Sequence, residues 1–84
     1  MLIVYSTFWC PHCTKTEKFL KENNIKFQSV NIETADKSIV DQVVKANGGV
    51  DWVVPTLEYN GKWRAGMVFN EEKLKNDLKV LGVI

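Results

Sequence analysis

Residues 2–5 read LIVY, an apolar run of strand length and composition that fits a strand covered on both faces. At Pro11 the period changes. Cys13, Thr16, Phe19 and Leu20 recur at helical offsets, while Lys15, Lys18, Lys21 and Glu22 can face water. Proline suits the first turn of a helix, where its missing N–H leaves nothing unpaired. The spacing predicts a helix over 11–23, stopping at Asn23 and Asn24. IKFQSVNI (25–32) alternates as a second strand, and a second helix follows ETAD (33–36). Ile39, Val43 and Ala46 form one row of that helix, Val40 and Val44 lie beside it, and NGG (47–49) supplies a stop.

PTLEY and KWRAG flank Asn60-Gly61, a two-residue hairpin signal. Asn70 caps a last helix whose positive first turn holds Glu71 and Glu72 and whose buried row is Leu74, Leu78 and Leu81. The order is β-α-β-α-β-β-α. Strands joined through a helix lie parallel with a right-handed crossover, whereas a hairpin is antiparallel. The expected fold is α/β in three layers, a four-stranded mixed sheet covered by helices, as one domain over 1–84.

Composition narrows the function. Hydrophobic residues make up 45% and charged residues 25% of 84, ordinary for one globular domain. A net charge of +1 supplies no field for nucleic acid or a membrane surface, so neither is an expected partner. No apolar run approaches the ~18 residues of a membrane span. The opening MLIVYSTFWC lacks a basic leader and a small-residue cleavage site, so the expected compartment is the cytoplasm. Structural disulfides are rare there, which leaves catalysis, redox sensing or metal binding for a cysteine pair.

That pair lies in FWCPHC (8–13), with the only histidine between the two sulfurs. The motif falls at the carboxyl end of the first strand and the amino end of the first helix, the edge where open α/β sheets place their sites. Thiolates, not thiols, exchange disulfides. Cys10 at the helix tip faces unpaired N–H groups and the positive end of the dipole, which favour the anion. Cys13 lies one turn further in and is expected to be the more buried. Cys10 is therefore read as the attacking sulfur and Cys13 as the resolving one. Pro11 stiffens the turn, and His12 is expected to stabilise the Cys10 thiolate and raise the potential. A structural zinc site is the competing reading, but it needs four ligands and no second cluster exists. A non-catalytic redox-sensing or binding module is the other; the presence of both thiols and Pro55 argues against it.

CPHC after a strand and before a helix, with VVPTLEYNGKW (53–63) past mid-chain, resembles the glutaredoxin branch of the thioredoxin superfamily over nearly the whole chain. TFWCPHC and NGGVDWVVPTL are most similar to mycoredoxins and to the small redoxins that serve ribonucleotide reductase. The resemblance implies a monomeric dithiol–disulfide oxidoreductase that reduces protein disulfides and holds no bound cofactor. Its electrons would come from an NADPH- and flavin-dependent thioredoxin reductase or from glutathione, and ribonucleotide reductase would be a possible target. The resemblance also implies a cis Val54–Pro55 bond beside the cysteines. From the residues alone, a trans proline opening the strand fits equally. Substrate contacts would come from Trp9, Val54, Pro55, Gly66 and Met67, with the Val54 backbone pairing to an extended segment.

The chain departs from that pattern around the ligand. Thr7 stands where glutathione-binding members commonly carry a basic residue, Val53 replaces a threonine, and AGMVF (65–69) puts Val68 and Phe69 at carboxylate positions. Glutathione thereby loses several usual partners. Lys15 matches a basic residue often found two after the second cysteine, and a solvated helix face explains it equally. Trp9, Trp52, Val53, Met67 and Phe69 are expected near the active edge, where exposed together they would suit a protein surface.

Overall fold

A computed structural model describes all 84 residues. The elements follow in the expected order: β1 (Leu2–Ser6), α1 (Pro11–Glu22), β2 (Phe27–Asn31), α2 (Lys37–Ala46), β3 (Thr56–Tyr59), β4 (Lys62–Arg64) and α3 (Glu71–Leu81). The strands form one sheet in the order β2-β1-β3-β4. β1 runs parallel to β2, while β1–β3 and β3–β4 are antiparallel, with Val4 opposite Leu57 and Leu57 opposite Arg64.

Strand alternation divides the core between two faces. Leu2, Val4 and Leu57 meet Phe19 and Leu20 of α1 and Leu74, Leu78 and Leu81 of α3. On the other face Tyr5 and Ile32 meet Val43 of α2, with Trp52 and Trp63 against them. Tyr5 stacks on Trp63 with centroids 5.6 Å apart and planes 18° apart. Burial pushes the Tyr5 phenol up, and the charge of Glu58 adds to it. Each fully buried leucine contributes about 1.5–3 kcal/mol of transfer free energy, so the larger α1–α3 face supplies most of the stability. The helices thus hold β1 from both sides and fix the end of that strand where the cysteines begin.

Two strands are shorter than the sequence predicts. β2 starts at Phe27 because Asn24 turns left-handed (φ 57°) and Ile25 N–H bonds back to Leu20 O at 2.9 Å. The helix end thus takes the amide that a longer strand would need. β4 stops at Arg64, and Gly66 N–H turns away to Asn47 Oδ1 at 2.8 Å. Between β3 and β4, Asn60 and Gly61 both adopt positive φ (51° and 84°), as a two-residue primed turn requires. Asn70 caps α3 through Lys73 N–H at 3.0 Å, whereas Asp36 precedes α2 without a side-chain cap bond.

An ion pair fixes α3 to the sheet. Arg64 Nε donates to Asp77 Oδ2 at 2.8 Å, and Lys73 Nζ donates to Asp77 Oδ1 at 2.9 Å. Arg64 is buried and its Nη2 has no partner, so Asp77 is the counter-charge it depends on. Burial alone would raise the Asp77 carboxyl, but the hydrogen bonds and charges of Arg64 and Lys73 outweigh it and hold it below the usual range. The folded chain therefore binds this proton less readily than the unfolded one. The resulting stability is fully present above about pH 4 and is lost as pH falls through the lowered folded value. Asp77→Asn strands the guanidinium and is expected to cost about 3 kcal/mol. Urea titrations should show that loss at neutral pH, and below about pH 4 the gap from wild type should narrow.

Candidate active site

α1 begins at Cys10, which has extended backbone angles (φ −89°, ψ 113°) and accepts Cys13 N–H on its sulfur at 3.2 Å. A helix start leaves amides unpaired, and serine or aspartate usually takes one of them. Here a thiol does so. The Cys10 carbonyl accepts Thr14 N–H at 3.1 Å and Thr14 Oγ1 at 3.2 Å, which holds the first turn closed under the sulfur. Pro11 occupies the first helical position, as expected.

Both cysteines are free thiols. The expected contrast in exposure is slight: Cys10 keeps 5% of its surface accessible and Cys13 2%. Cys10 is enclosed because the Val54 carbonyl lies 3.9 Å from its sulfur. Cys13 is pushed up to about 12, by burial first, then by its bond to Cys10, with the charges of Cys10 and Glu17 adding and the Thr7 backbone N–H opposing.

The opposite wall is the segment before β3. The Val54–Pro55 bond is cis, and neither the N–H nor the C=O of Val54 has a backbone partner. Asn47 holds this wall. Its Nδ2 donates to Val43 O at 2.8 Å and to Thr56 Oγ1 at 2.9 Å, and its Oδ1 accepts Gly66 N–H. Thr56 Oγ1 in turn donates to Val53 O. Gly66 is where the two segments touch: a Cβ there would lie 2.6 Å from Val53. In the sequence Asn47 reads only as a helix stop, since its three bonds join segments distant along the chain.

His12 is tied elsewhere. Its Nδ1 accepts Phe69 N–H at 3.1 Å, joining α1 to the segment before α3, and it makes no hydrogen bond to either sulfur. Trp9 lies at the rim, 59% exposed, with Nε1 donating to Glu33 Oε1 at 2.9 Å. Phe8 (85% exposed), Val53 and Val68 are exposed with it, whereas Met67 is half-buried. Trp52 and Phe69 lean on the two cores, Phe69 against Phe19 with ring centroids 6.5 Å apart. The expected apolar cluster is thus divided between surface and interior. No three His, Cys, Asp or Glu side chains converge as a metal site.

A mixed four-stranded sheet with paired sulfurs at the tip of its first helix defines a thioredoxin-like protein. The glutaredoxin family model matches residues 2–63, and the chain belongs to the glutaredoxin family. A glutaredoxin-like 8.6 kDa protein of a rubredoxin operon in Clostridium pasteurianum is 32% identical over 76 residues, covering 88% of this chain and 92% of that one. The glutaredoxin of Archaeoglobus fulgidus superposes with a TM-score of 0.71 at 30% identity, over 89% of this chain and 82% of that one. The methanoredoxin of Methanosarcina acetivorans gives 0.69 at 26% identity, over 96% and 83%. Family and fold indicate a thiol–disulfide oxidoreductase.

At pH 8, brief treatment with iodoacetamide should label Cys10 alone, with Cys13 reacting only as the pH nears its raised value; peptide mapping reads the sites. Asn47→Ala removes three hydrogen bonds and should lower the unfolding free energy by about 2–3 kcal/mol in urea titrations.

Proposed function

We propose that this chain reduces protein disulfides, with Cys10 as the attacking sulfur and Cys13 as the resolving one. The observation that carries this reading is the Cys10 sulfur at the tip of α1, where it accepts Cys13 N–H at 3.2 Å. The amide and the helix end favour negative charge where the attack begins. Cys10 displaces one sulfur of the target and forms a mixed disulfide; Cys13 then attacks Cys10 and releases the second sulfur as a thiolate. The target gains two electrons, and the protein is left with a Cys10–Cys13 disulfide.

The backbone groups of Val54, which have no backbone partner, suit an extended target segment added as a strand. Exposed Phe8, Trp9 and Val53 offer its side chains apolar contacts, whereas Met67 is half-buried and Pro55 fully buried. Gly66 serves by letting that wall approach, since its N–H is engaged by Asn47. The reaction needs no bound cofactor, only a donor that reopens the disulfide. A flavin-dependent reductase fits this rim better than glutathione does. Thr7 is buried and uncharged where a cation would meet the tripeptide, and Val68 is exposed where an acidic group would. Ribonucleotide reductase is a candidate target through the similarity of TFWCPHC to its redoxins.

NADPH consumption with insulin as substrate tests the reading, with thioredoxin reductase and with glutathione plus its reductase run in parallel. The first donor should support turnover. Cys13→Ser should accumulate mixed disulfides visible by mass, and Cys10→Ser should lose turnover to background. Full activity in Cys10→Ser sinks the assignment.

A further inference from the structure

The sulfur that closes the ring starts as a buried thiol, and its proton must go somewhere. Behind the cysteines, on the β2 side of α1, lies a recess of about 270 Å³ lined by Ser6, Thr7, Cys13, Glu17, Ser29 and Asn31 among others. It is mostly polar and has room for several waters at about 30 Å³ each. Glu17 is its only carboxylate, one helical turn beyond Cys13. Glu17 Oε2 accepts Ser29 Oγ at 2.8 Å and Ser6 Oγ at 3.3 Å, while Oε1 receives no protein donor. Thr7 Oγ1, in the same wall, is buried with no partner.

We propose that Glu17 is the proton acceptor for Cys13, receiving the thiol proton through the water of this recess as the mixed disulfide is resolved. The proposal rests on the reading of Cys13 as the resolving thiol. The step balances. The Cys13 S–H bond breaks and its proton passes to Glu17, the Cys13 sulfur attacks Cys10, and the departing thiolate takes the electron pair of the broken S–S bond. Glu17 then returns the proton to solvent. The need for an acceptor outlasts the first attack. Once Cys10 is in a mixed disulfide, its charge no longer opposes ionisation of Cys13, but burial and the Glu17 charge remain.

Other charges near Glu17 do not neutralise it. Lys21 of α1 and Lys26 before β2 share a neighbouring surface recess with it, together with Met1, yet no ion pair includes Glu17. Ser6 and Thr7 from β1 and its end, and Ser29 and Asn31 from β2, face it as neutral groups, and Cys13 is the only other titratable one in the polar recess.

The sign of one variant separates proton transfer from simple electrostatics. Glu17→Gln keeps the shape and removes both the base and a negative charge. Loss of charge alone would ease ionisation of Cys13 and speed resolution; loss of the acceptor would slow it. Reduced protein mixed with dithiobis(nitrobenzoate) releases one aryl thiolate as Cys10 attacks and a second as Cys13 closes the ring. The second phase is intramolecular and therefore independent of reagent concentration. In Glu17→Gln it should be at least about ten-fold slower at pH 7, recover as pH rises, and be accelerated by imidazole buffer, with the first phase unchanged. Glu17→Asp should recover part of the rate. A second phase in Glu17→Gln as fast as wild type or faster overturns the proposal, as does strong acceleration of wild type by imidazole. Should the glutamine variant not fold, Glu17→Asp and the wild-type buffer series still decide. Absence of the first phase in wild type would instead remove the reading of Cys10 itself.

Discussion

A single contact starts the helix and prepares the chemistry: the Cys10 sulfur taking Cys13 N–H at 3.2 Å. Sulfur is a weaker acceptor than a hydroxyl or carboxylate oxygen, so a thiol cap holds a helix less firmly than serine or aspartate does. The deficit falls as negative charge builds on the sulfur, because the amide and the dipole both favour it there. Pro11 and the two bonds from Thr14 to the Cys10 carbonyl keep the turn in the one shape that brings Cys13 beneath the cap.

The second wall is held by a different kind of interaction. Val53 and Val54 lie outside the sheet ladder, and their position depends on Asn47, Thr56 and Gly66. One side chain with two donors and an acceptor satisfies groups from α2, from the start of β3 and from the segment after β4. Such a network is all-or-none, because removing its centre leaves several groups without partners in a poorly solvated place. The absence of a side chain at Gly66 allows the close approach, with Val53 filling the space a Cβ would need.

Much of this was legible in the chain itself. Local rules govern the elements: LIVY, the helical rows from Cys13 to Leu20 and from Leu74 to Leu81, the Asn60-Gly61 turn and the Asn70 cap all formed where periodicity and turn chemistry put them. The strand ends moved because distant groups compete for the same amides, Leu20 O for Ile25 and Asn47 for Gly66. Cys10, Cys13 and the proline share one edge because topology dictates it. The roles of Asn47 and Glu17 are not legible for one reason: a polar residue on or at the end of a helix reads as solvated until the opposite surface is known. His12 reads toward the sulfur beside it in sequence, whereas in the fold its Nδ1 accepts Phe69 N–H.

The two sulfurs are set apart by their surroundings more than by surface exposure. Accessibility differs by only three parts in a hundred, 5% against 2%. The difference lies in what each sulfur receives and gives. Cys10 accepts an amide and lies against the Val54 carbonyl, whereas Cys13 is desolvated first of all and held protonated further by its neighbour Cys10 and by the charge of Glu17. This asymmetry is directional in time. On the proposed assignment of roles, forming the mixed disulfide removes the Cys10 charge from beside Cys13, while burial and the charge of Glu17 stay in place. On that assignment the sulfur that closes the ring is restrained only in part by the neighbour it attacks, and burial is the restraint that outlasts the first exchange.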